Sequence, residues 1–184
     1  MSSIRLETER LMVRPYGMDD FSAYFEYVMD PDLQAKLGLN GVADEASAKE
    51  TFCWLMDNRI FLAIVRKNDG KAIGHIALHP PYEPLTKDPM FHDKTGHSLS
   101  FAIAPKEQRK GLMLETLQAL IPELFLHHHI DFLDAEAEPA NLASTALQEK
   151  LGFMLWGRDR FDDVELLIRV LTKERWQTTK KALW

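Results

Sequence analysis

The segment over residues 98–125 has the residue types and the order of elements that can bind a diphosphate. An alternating run is followed by a basic turn with Arg109, Lys110 and Gly111, and then by an apolar helical repeat. The first amide groups of a helix have no intrahelical partner and carry partial positive charge. The two cations would add charge-assisted contacts. The turn is therefore a candidate phosphate site, although a solvated basic turn before a helix is also commonplace.

The elements that precede this turn can be predicted from periodicity and capping signals. Residues 11–15 are rich in strand formers and end at a proline, which predicts a first strand. A helix is predicted to begin at a cap on Asp19 or Asp20 and to stop at Pro31. A second helix is predicted over residues 44–58, where apolar side chains lie on one side.

Three further strands and a long loop are predicted before the turn. Strands over residues 60–66 and 72–78 flank an Asp-Gly pair, which is a strong hairpin signal. Residues 80–95 contain four prolines and several aromatic residues, which predicts an ordered loop with either a functional or a decorative role. Residues 97–104 alternate larger and smaller side chains, which predicts a fourth strand.

The helix after the turn has an apolar stripe that Pro122 interrupts. An interior proline costs a helix about 3 kcal/mol, so we expect a kink or an early stop near Ile121. The remaining elements are predicted in this order: a strand over residues 132–138, a helix from Pro139 to about Leu151, strands over 153–156 and 164–171, and a loosely held end from Lys173.

Composition and charge restrict the class of protein. With 184 residues, of which 46% are hydrophobic and 27% charged, the chain is expected to form one globular domain over residues 1–176, with a tail at 177–184. There are 22 Lys and Arg against 28 Asp and Glu, and a net charge of −6 argues against nucleic acid as a partner. An acidic protein mildly favours a cationic substrate.

The chain has one cysteine, Cys53, so that an intrachain disulfide and a cysteine-based zinc site are excluded. A cytoplasmic location is expected, because neither a signal core nor an apolar span long enough for a bilayer is evident. Three consecutive histidines, His127, His128 and His129, would point in different directions on a helix, so we expect no bound metal.

Three separate motifs resemble the GNAT superfamily of acetyl-CoA-dependent N-acetyltransferases. The family's phosphate motif is matched in five of six positions by Gln108-Arg109-Lys110-Gly111-Leu112-Met113, with Met in the last place. A second signature resembles residues 141–153, in which Asn141 and Ser144 lead to Glu-Lys-Leu-Gly-Phe. Residues 6–15 are similar to the opening of the RimJ/RimL branch, which acetylates ribosomal-protein N-termini.

The resemblance implies an α/β (α+β) fold with a mixed, mostly antiparallel sheet of six to seven strands and about four helices. The sheet would be splayed between the fourth and fifth strands to hold the pantetheine arm of acetyl-CoA. The arm would pair with the backbone of Phe101, Ala102, Ile103 and Ala104, and the amides from Gln108 to Met113 would hold the pyrophosphate. The resemblance also places Asn141 at the pantetheine, or as a plain helix cap, and Ser144 near the thioester sulfur.

Acetyl transfer to an amine implies a proton acceptor, an oxyanion donor and a proton donor. Many RimJ/RimL proteins have Glu where this chain has Ser98, so Glu136 and Glu138 become the candidate bases, with solvated edge carboxylates as the alternative. Ser144 becomes the candidate acid, because the family tyrosine falls at Gln148. A backbone amide near Ile103 or Ala104 would stabilise the oxyanion, and three strand histidines could also serve as bases: His75, His79 and His97.

The function implied is acetyl transfer to a protein N-terminus or a small-molecule amine. This chain has Ser98 where many RimJ/RimL proteins have Glu, and Gln148 where the family has Tyr. These two differences support an alternative function, a CoA-binding module that has lost turnover. Exposed aromatic residues in the loop over 80–95 and in the tail would support a homodimer.

Overall fold

Eight strands and six α-helices are present in the computed structural model, which describes residues 4–39 and 41–183, with side chains up to Thr179. The strands are β1 Leu6–Glu7, β2 Leu11–Pro15, β3 Ile60–Arg66, β4 Ala72–His79, β5 Gly96–Ile103, β6 Phe132–Ala137, β7 Met154–Phe161 and β8 Val164–Thr172. The helices are α1 Phe21–Val28, α2 Pro31–Leu37, α3 Glu45–Asn58, α4 Leu112–His127, α5 Leu142–Lys150 and α6 Lys173–Leu183.

The strands form one mixed sheet with the order β1-β2-β3-β4-β5-β6-β8-β7. Its described pairs are antiparallel except for β5 with β6, which run parallel over three residue pairs, from Gly96 with Phe132 to Ser98 with Asp134. β5 continues for five residues beyond this last described pair. The predicted fold class is confirmed, and the short β1 joins the seven predicted strands.

The chain divides into two compact units, which share β5 and α4 along the sequence. Unit 1 consists of Met1–Leu78 and Ser100–Ala119, and unit 2 consists of His79–Leu99 and Leu120–Trp184. A single domain over residues 1–176 stays a prediction.

The core of unit 1 is formed by aromatic residues of α1 and α3 that pack on β3. Tyr24 and Phe52 are fully buried, and the ring of Tyr16 stacks on that of Phe61 with centroids 4.5 Å apart. The helical spacing of the apolar residues in both segments therefore correctly predicted the buried faces.

The core of unit 2 includes the loop over residues 80–95, which is ordered as predicted. Leu85 and Phe91 of this loop are buried against Phe132 of β6 and against Ile168 and Val170 of β8. The loop therefore covers one face of these strands.

The two proline signals had different outcomes. The first helix ends before Asp30-Pro31 as predicted, since α1 stops at Val28. A separate helix, α2, then begins, because Asp30 Oδ1 accepts a hydrogen bond from the Leu33 amide and Pro31 occupies the first turn, where proline is tolerated. Pro122 does not stop α4, which continues to His127. Ile121, Leu124 and Phe125 of this segment are fully buried, and their burial offsets the lost hydrogen bond.

The C-terminal elements are longer than predicted. β7 extends to Phe161 and meets β8 in a hairpin whose turn residues, Asp162 and Asp163, both have positive φ. The expected loose end from Lys173 instead forms α6, in which the buried Trp176 contacts Phe125. The side chains from residue 180 onwards lie outside the described residues.

Candidate active site

The turn between β5 and α4 has an unusual backbone. A short 3-10 turn at Pro105–Glu107 is followed by Arg109 with φ 62° and Gly111 with φ 77°. A side chain costs roughly 1 to 2 kcal/mol in the left-handed region, so glycine suits position 111 whereas Arg109 is held there by its surroundings. The two positive φ values turn the chain sharply into α4.

This conformation leaves a row of amide groups available. Among the hydrogen bonds of the described residues, none uses the backbone N–H groups of residues 109–113 as donors. The first hydrogen bond of α4 runs from the Glu115 amide to the Gly111 carbonyl at 3.0 Å. Five consecutive donors at the positive end of a 16-residue helix can bind an anion such as a phosphate group.

The side chains of the turn differ in their availability. Lys110 Nζ contacts Glu107 Oε2 at 2.9 Å, and Arg66 Nη1 contacts Glu107 Oε1 at 2.6 Å. Arg109 is exposed and takes part in no ion pair in the described ranges. Unlike Lys110, Arg109 can therefore meet an anion without first breaking an ion pair.

Gln108 has a structural contact, because its Nε2 donates to the Ile103 carbonyl at 3.1 Å. Leu112 and Met113 are buried at the start of α4. The predicted roles of these three residues at a pyrophosphate therefore concern their backbone amides rather than their side chains.

Arg10 supports the turn and was not predicted from the sequence. Its Nη1 donates to the Lys110 carbonyl at 3.1 Å, and its Nε contacts Glu115 Oε2 at 2.6 Å. Burial alone would raise the pKa of Glu115, but hydrogen bonds from Thr8 and Arg10 outweigh it and lower that pKa. The hydrogen bond from Lys110 likewise lowers the pKa of Glu107.

The end of β5 is held tightly against β4. A Cβ atom on Gly74 would lie 2.4 Å from the Ala102 carbonyl oxygen, so that only glycine fits there. The Ala104 amide donates to the Ile73 carbonyl at 2.8 Å, which removes it as the expected oxyanion donor. Ile103 remains the candidate for that role, and Phe101 is half-buried in the same strand.

A cavity of about 340 Å³ in unit 1 borders the 3-10 turn. Two of the cations in its lining are already paired, since Lys71 contacts Glu26 at 2.5 Å and Arg66 contacts Glu107. Asp30 and Lys106 add a charge of each sign. Charges of both signs make this cavity a poor phosphate site compared with the free amides of the turn.

In unit 2, one face of β6 carries two carboxylates with unusual environments. Asp134 and Glu136 are two residues apart and share that face. Asp134 is fully buried, and its Oδ1 accepts from the Tyr82 amide at 3.3 Å. Burial raises the pKa of Asp134 to about 6, although a hydrogen bond from Ser98 opposes the rise.

Glu136 was predicted as a base. The charge of Asp159, which lies on β7, acts on its carboxylate. Burial of its carboxylate, and then the charge of Asp159, raise the pKa of Glu136. Glu138, the other predicted base, is exposed like Glu136, but it follows the end of β6, whereas Glu136 lies within the strand. Position along the strand therefore distinguishes the two glutamates.

Asp134 was not identified as a candidate in the sequence. The available signal was an acidic residue inside the otherwise apolar run Phe-Leu-Asp-Ala. A carboxylate in such a run is either paired or has a perturbed pKa. Ser98, which stands opposite Asp134 in the parallel register, is its hydrogen-bonding neighbour.

The start of α5 holds the predicted Asn141 and Ser144 together. Asn141 Oδ1 caps the helix by accepting from the Ser144 amide at 3.3 Å. Ser144 Oγ accepts from the Nε2 of the buried Gln148 at 3.1 Å. The hydroxyl proton of Ser144 has no acceptor in the described part of the chain, so it is available for donation.

Two of the three strand histidines have structural side-chain contacts. His75 is buried, and its Nδ1 lies 2.8 Å from the Tyr27 hydroxyl, while His97 Nδ1 lies 3.0 Å from the His79 carbonyl. These contacts favour the structural interpretation over a role as the base.

Two structural features are absent from the described residues. No group of three or more His, Cys, Asp or Glu side chains there could hold a metal ion. The described helices also include none whose length and apolar character would allow it to cross a membrane.

Comparisons with known proteins agree with the fold of the chain. The sequence model of the acetyltransferase (GNAT) domain matches residues 10–154. An uncharacterised N-acetyltransferase of Bacillus subtilis, YnaD, is 23% identical over 150 residues, which is 81% of this chain and 82% of that protein.

Solved structures show the same fold. A GNAT-family acetyltransferase from Bacillus anthracis superposes with a TM-score of 0.79 at 20% identity, covering 93% of this chain and 99% of the other. An acetyltransferase from Agrobacterium tumefaciens has a TM-score of 0.72 at 26% identity, covering 94% of this chain and 96% of the other.

Proposed function

Because this chain belongs to the GNAT family of acetyltransferases, we propose that it is an N-acetyltransferase, which moves an acetyl group from acetyl-CoA to a primary amine in a ternary complex. The acceptor is a protein N-terminal α-amine, as in the RimJ/RimL branch, or a small-molecule amine. The family match and the relative YnaD support acetyl transfer to nitrogen.

The observation that carries the proposal is the row of unpartnered amides over residues 109–113. Donors fixed in the folded backbone need no rearrangement to bind the pyrophosphate of acetyl-CoA. Arg109 adds a cation without a competing carboxylate, whereas Lys110 must first exchange Glu107 for a phosphate oxygen.

Acetyl-CoA supplies the activated acetyl group, and the chain must handle two protons. An alkylammonium has a pKa near 10.4, so the amine must lose a proton to attack at neutral pH. Glu136 is our candidate acceptor of this proton, because its raised pKa brings it closer to neutrality. The charge of Glu136 in turn contributes to the raised pKa of Asp134 on the same face.

Ser144 is our candidate donor of the proton that the departing thiolate needs. Gln148 donates to Ser144 Oγ, which leaves the serine hydrogen free to point elsewhere. The substitution Ser144→Ala should lower turnover while CoA affinity stays unchanged, and unchanged turnover would assign protonation to water instead.

Calorimetry with CoA tests the binding half of the proposal. We expect the double substitution Arg109→Glu, Lys110→Glu to weaken CoA binding at least tenfold, about 1.4 kcal/mol, because two carboxylates would face the phosphates. The control is Lys36→Glu, Lys49→Glu, which makes the same charge change at exposed residues of α2 and α3. Equal CoA affinity in the two double variants would contradict the proposed phosphate site.

Thiol release from acetyl-CoA with a panel of amines tests the catalytic half. Acetyl transfer to at least one primary amine is expected, with the acetylated product identified by mass. CoA binding without transfer to any amine would instead identify a binding module that has lost turnover.

A further inference from the structure

Three carboxylates share one face of the sheet in unit 2 without a cation to neutralise them. Asp134 and Glu136 are two residues apart on β6, so their side chains lie on the same face. Glu136 pairs with Ile168, and Asp159 pairs with Leu166 two positions away, so Asp159 lies on the same face. None of the three takes part in an ion pair among the residues that the structure describes.

Asp134 provides a second and independent sign of a missing partner. Its side chain is fully buried, yet Oδ2 has no hydrogen-bond partner in the described part of the chain. A buried polar atom without a partner costs roughly 1 to 3 kcal/mol, so such atoms are rare unless a ligand or water meets them.

The same face has an aromatic wall. The rings of Tyr82 and Trp156 meet edge to face, with centroids 6.2 Å apart and planes at 71°. The Tyr82 hydroxyl donates to Asp159, and Trp156 Nε1 donates to Asp88 at 2.9 Å. Aromatic rings held beside carboxylates are a favourable environment for an organic cation.

The nearby arginines do not supply the missing charge. Arg158 pairs with Leu167, and its guanidinium contacts Glu165 at 2.5 Å. Arg160 pairs with Glu165 along the strands and lies 4.0 Å from Asp163. Both arginines alternate with Asp159 along β7, so they are on the opposite face.

We propose that this face binds acceptors that carry a second cationic group beside the amine to be acetylated. The proposal rests on the proposed function and names its acceptor class. One carboxylate, Glu136, takes the proton of the reacting ammonium, and Asp159 remains ionised to hold the other cation next to Tyr82 and Trp156. Two sources have this chemistry: aliphatic diamines, and peptide N-termini followed by a basic residue.

Steady-state kinetics on the full chain can test this inference with matched acceptors. The first pair is 1,4-diaminobutane against 4-amino-1-butanol, and the second is a peptide that begins Ser-Lys against one that begins Ser-Ala. We expect kcat/KM to be about two- to fivefold higher for the dicationic member of at least one pair, the range of an exposed charge pair. The pair that shows the difference identifies the source.

The substitution Asp159→Asn should remove most of this preference and leave KM for acetyl-CoA unchanged. Asp163→Asn is the matched control, because it removes the same charge from the same hairpin at an exposed turn position. Turnover of the mono- and dicationic acceptors at equal rates, or a preference that survives Asp159→Asn, would overturn the inference.

Calorimetry of acceptor binding in the presence of CoA separates this inference from the proposed function. If no amine is acetylated but 1,4-diaminobutane binds and Asp159→Asn weakens it several-fold, the cation site stands and the transferase proposal fails. If acetylation occurs but neither dicationic acceptor binds more tightly than the monocationic acceptor matched with it, the transferase proposal stands and the cation site fails.

Discussion

The carboxylates of the turn in unit 1 and those of β6 in unit 2 have opposite environments. Glu107 and Glu115 are each held by cations or hydrogen-bond donors, and their pKa values are lowered. Asp134 and Glu136 form no ion pair with a described residue, and burial raises their pKa values. The carboxylates of the turn therefore help to hold its backbone conformation, whereas the face of β6 carries the side chain that we propose as the proton acceptor. Substitutions should act differently on the two regions.

Glu136→Gln should have the largest effect, because it removes the proposed proton acceptor. Removal of a general base lowers rates by roughly 100- to 10,000-fold, so kcat/KM for the acceptor should fall by at least the lower figure while CoA affinity is unchanged. Glu138→Gln, the control on the same segment, should stay within about twofold of the wild type. The reverse result would move the base to Glu138.

Asp134→Asn should stabilise the protein at alkaline pH by up to about 3 kcal/mol. The pKa of Asp134 is about 6 in the folded state against an ordinary 3.8, so the folded state holds a proton that the unfolded state has lost. The stability that this bound proton contributes is fully present below the ordinary pKa of 3.8 and is lost as the pH rises through about 6.

Urea unfolding at several pH values tests this sign. Wild type and Asp134→Asn should be similar near pH 4 and should diverge by pH 8, with the variant more stable. Asp88→Asn is the control, since a backbone hydrogen bond from Met90 lowers the pKa of Asp88 and the substitution should be mildly destabilising at pH 8. A pH-independent difference for Asp134→Asn would contradict the buried, protonated carboxyl.

Gly111→Val should weaken CoA binding about tenfold, because valine opposes the positive φ that aims the amides. Gly70 has nearly the same φ, 71°, in the β3–β4 turn, and neither glycine has an atom close enough to clash with a new Cβ. Gly70→Val should therefore cost a similar 1 to 2 kcal/mol of stability without changing CoA affinity. Equal CoA affinity in the two variants would show that the turn conformation is unimportant for binding.

Arg10→Ala should have the smallest effect. It removes the contacts with Glu115 and with the Lys110 carbonyl, and a half-exposed ion pair contributes about 1 kcal/mol or less. CoA affinity should fall two- to threefold in calorimetry, whereas Lys67→Ala, which breaks the exposed pair with Glu7, should leave it unchanged. A tenfold loss would make Arg10 a direct ligand.

Local signals in the sequence predicted most of the elements, because they reflect interactions within a few residues. The alternation in β5, the bounds of α3 and the Asn141 cap of α5 all lie where expected. Pro31 correctly marked the end of the first helix, but α2 was not predicted, because the same residue can end one helix and begin the next.

The proposed site could be predicted only in part. The proposed phosphate turn is one continuous segment, so its residues and its motif were visible in the sequence. The contacts of Arg10 with Glu115 and of Tyr82 with Asp159 join residues 105 and 77 positions apart. No local pattern encodes such pairs, and the burial of Asp134 likewise depends on the loop over residues 80–95.

The row of free amides also affects how far the sequence of such a turn can change during evolution. Recognition through peptide N–H groups places little demand on side-chain identity, so mutation can replace most residues of this segment without loss of the ligand. Met113 illustrates such drift, because its side chain is buried where the family motif has glycine or alanine. Only positions 109 and 111, where φ is positive, are restricted by conformation. Descendants of this chain should therefore retain the shape of the turn long after its sequence has become unrecognisable.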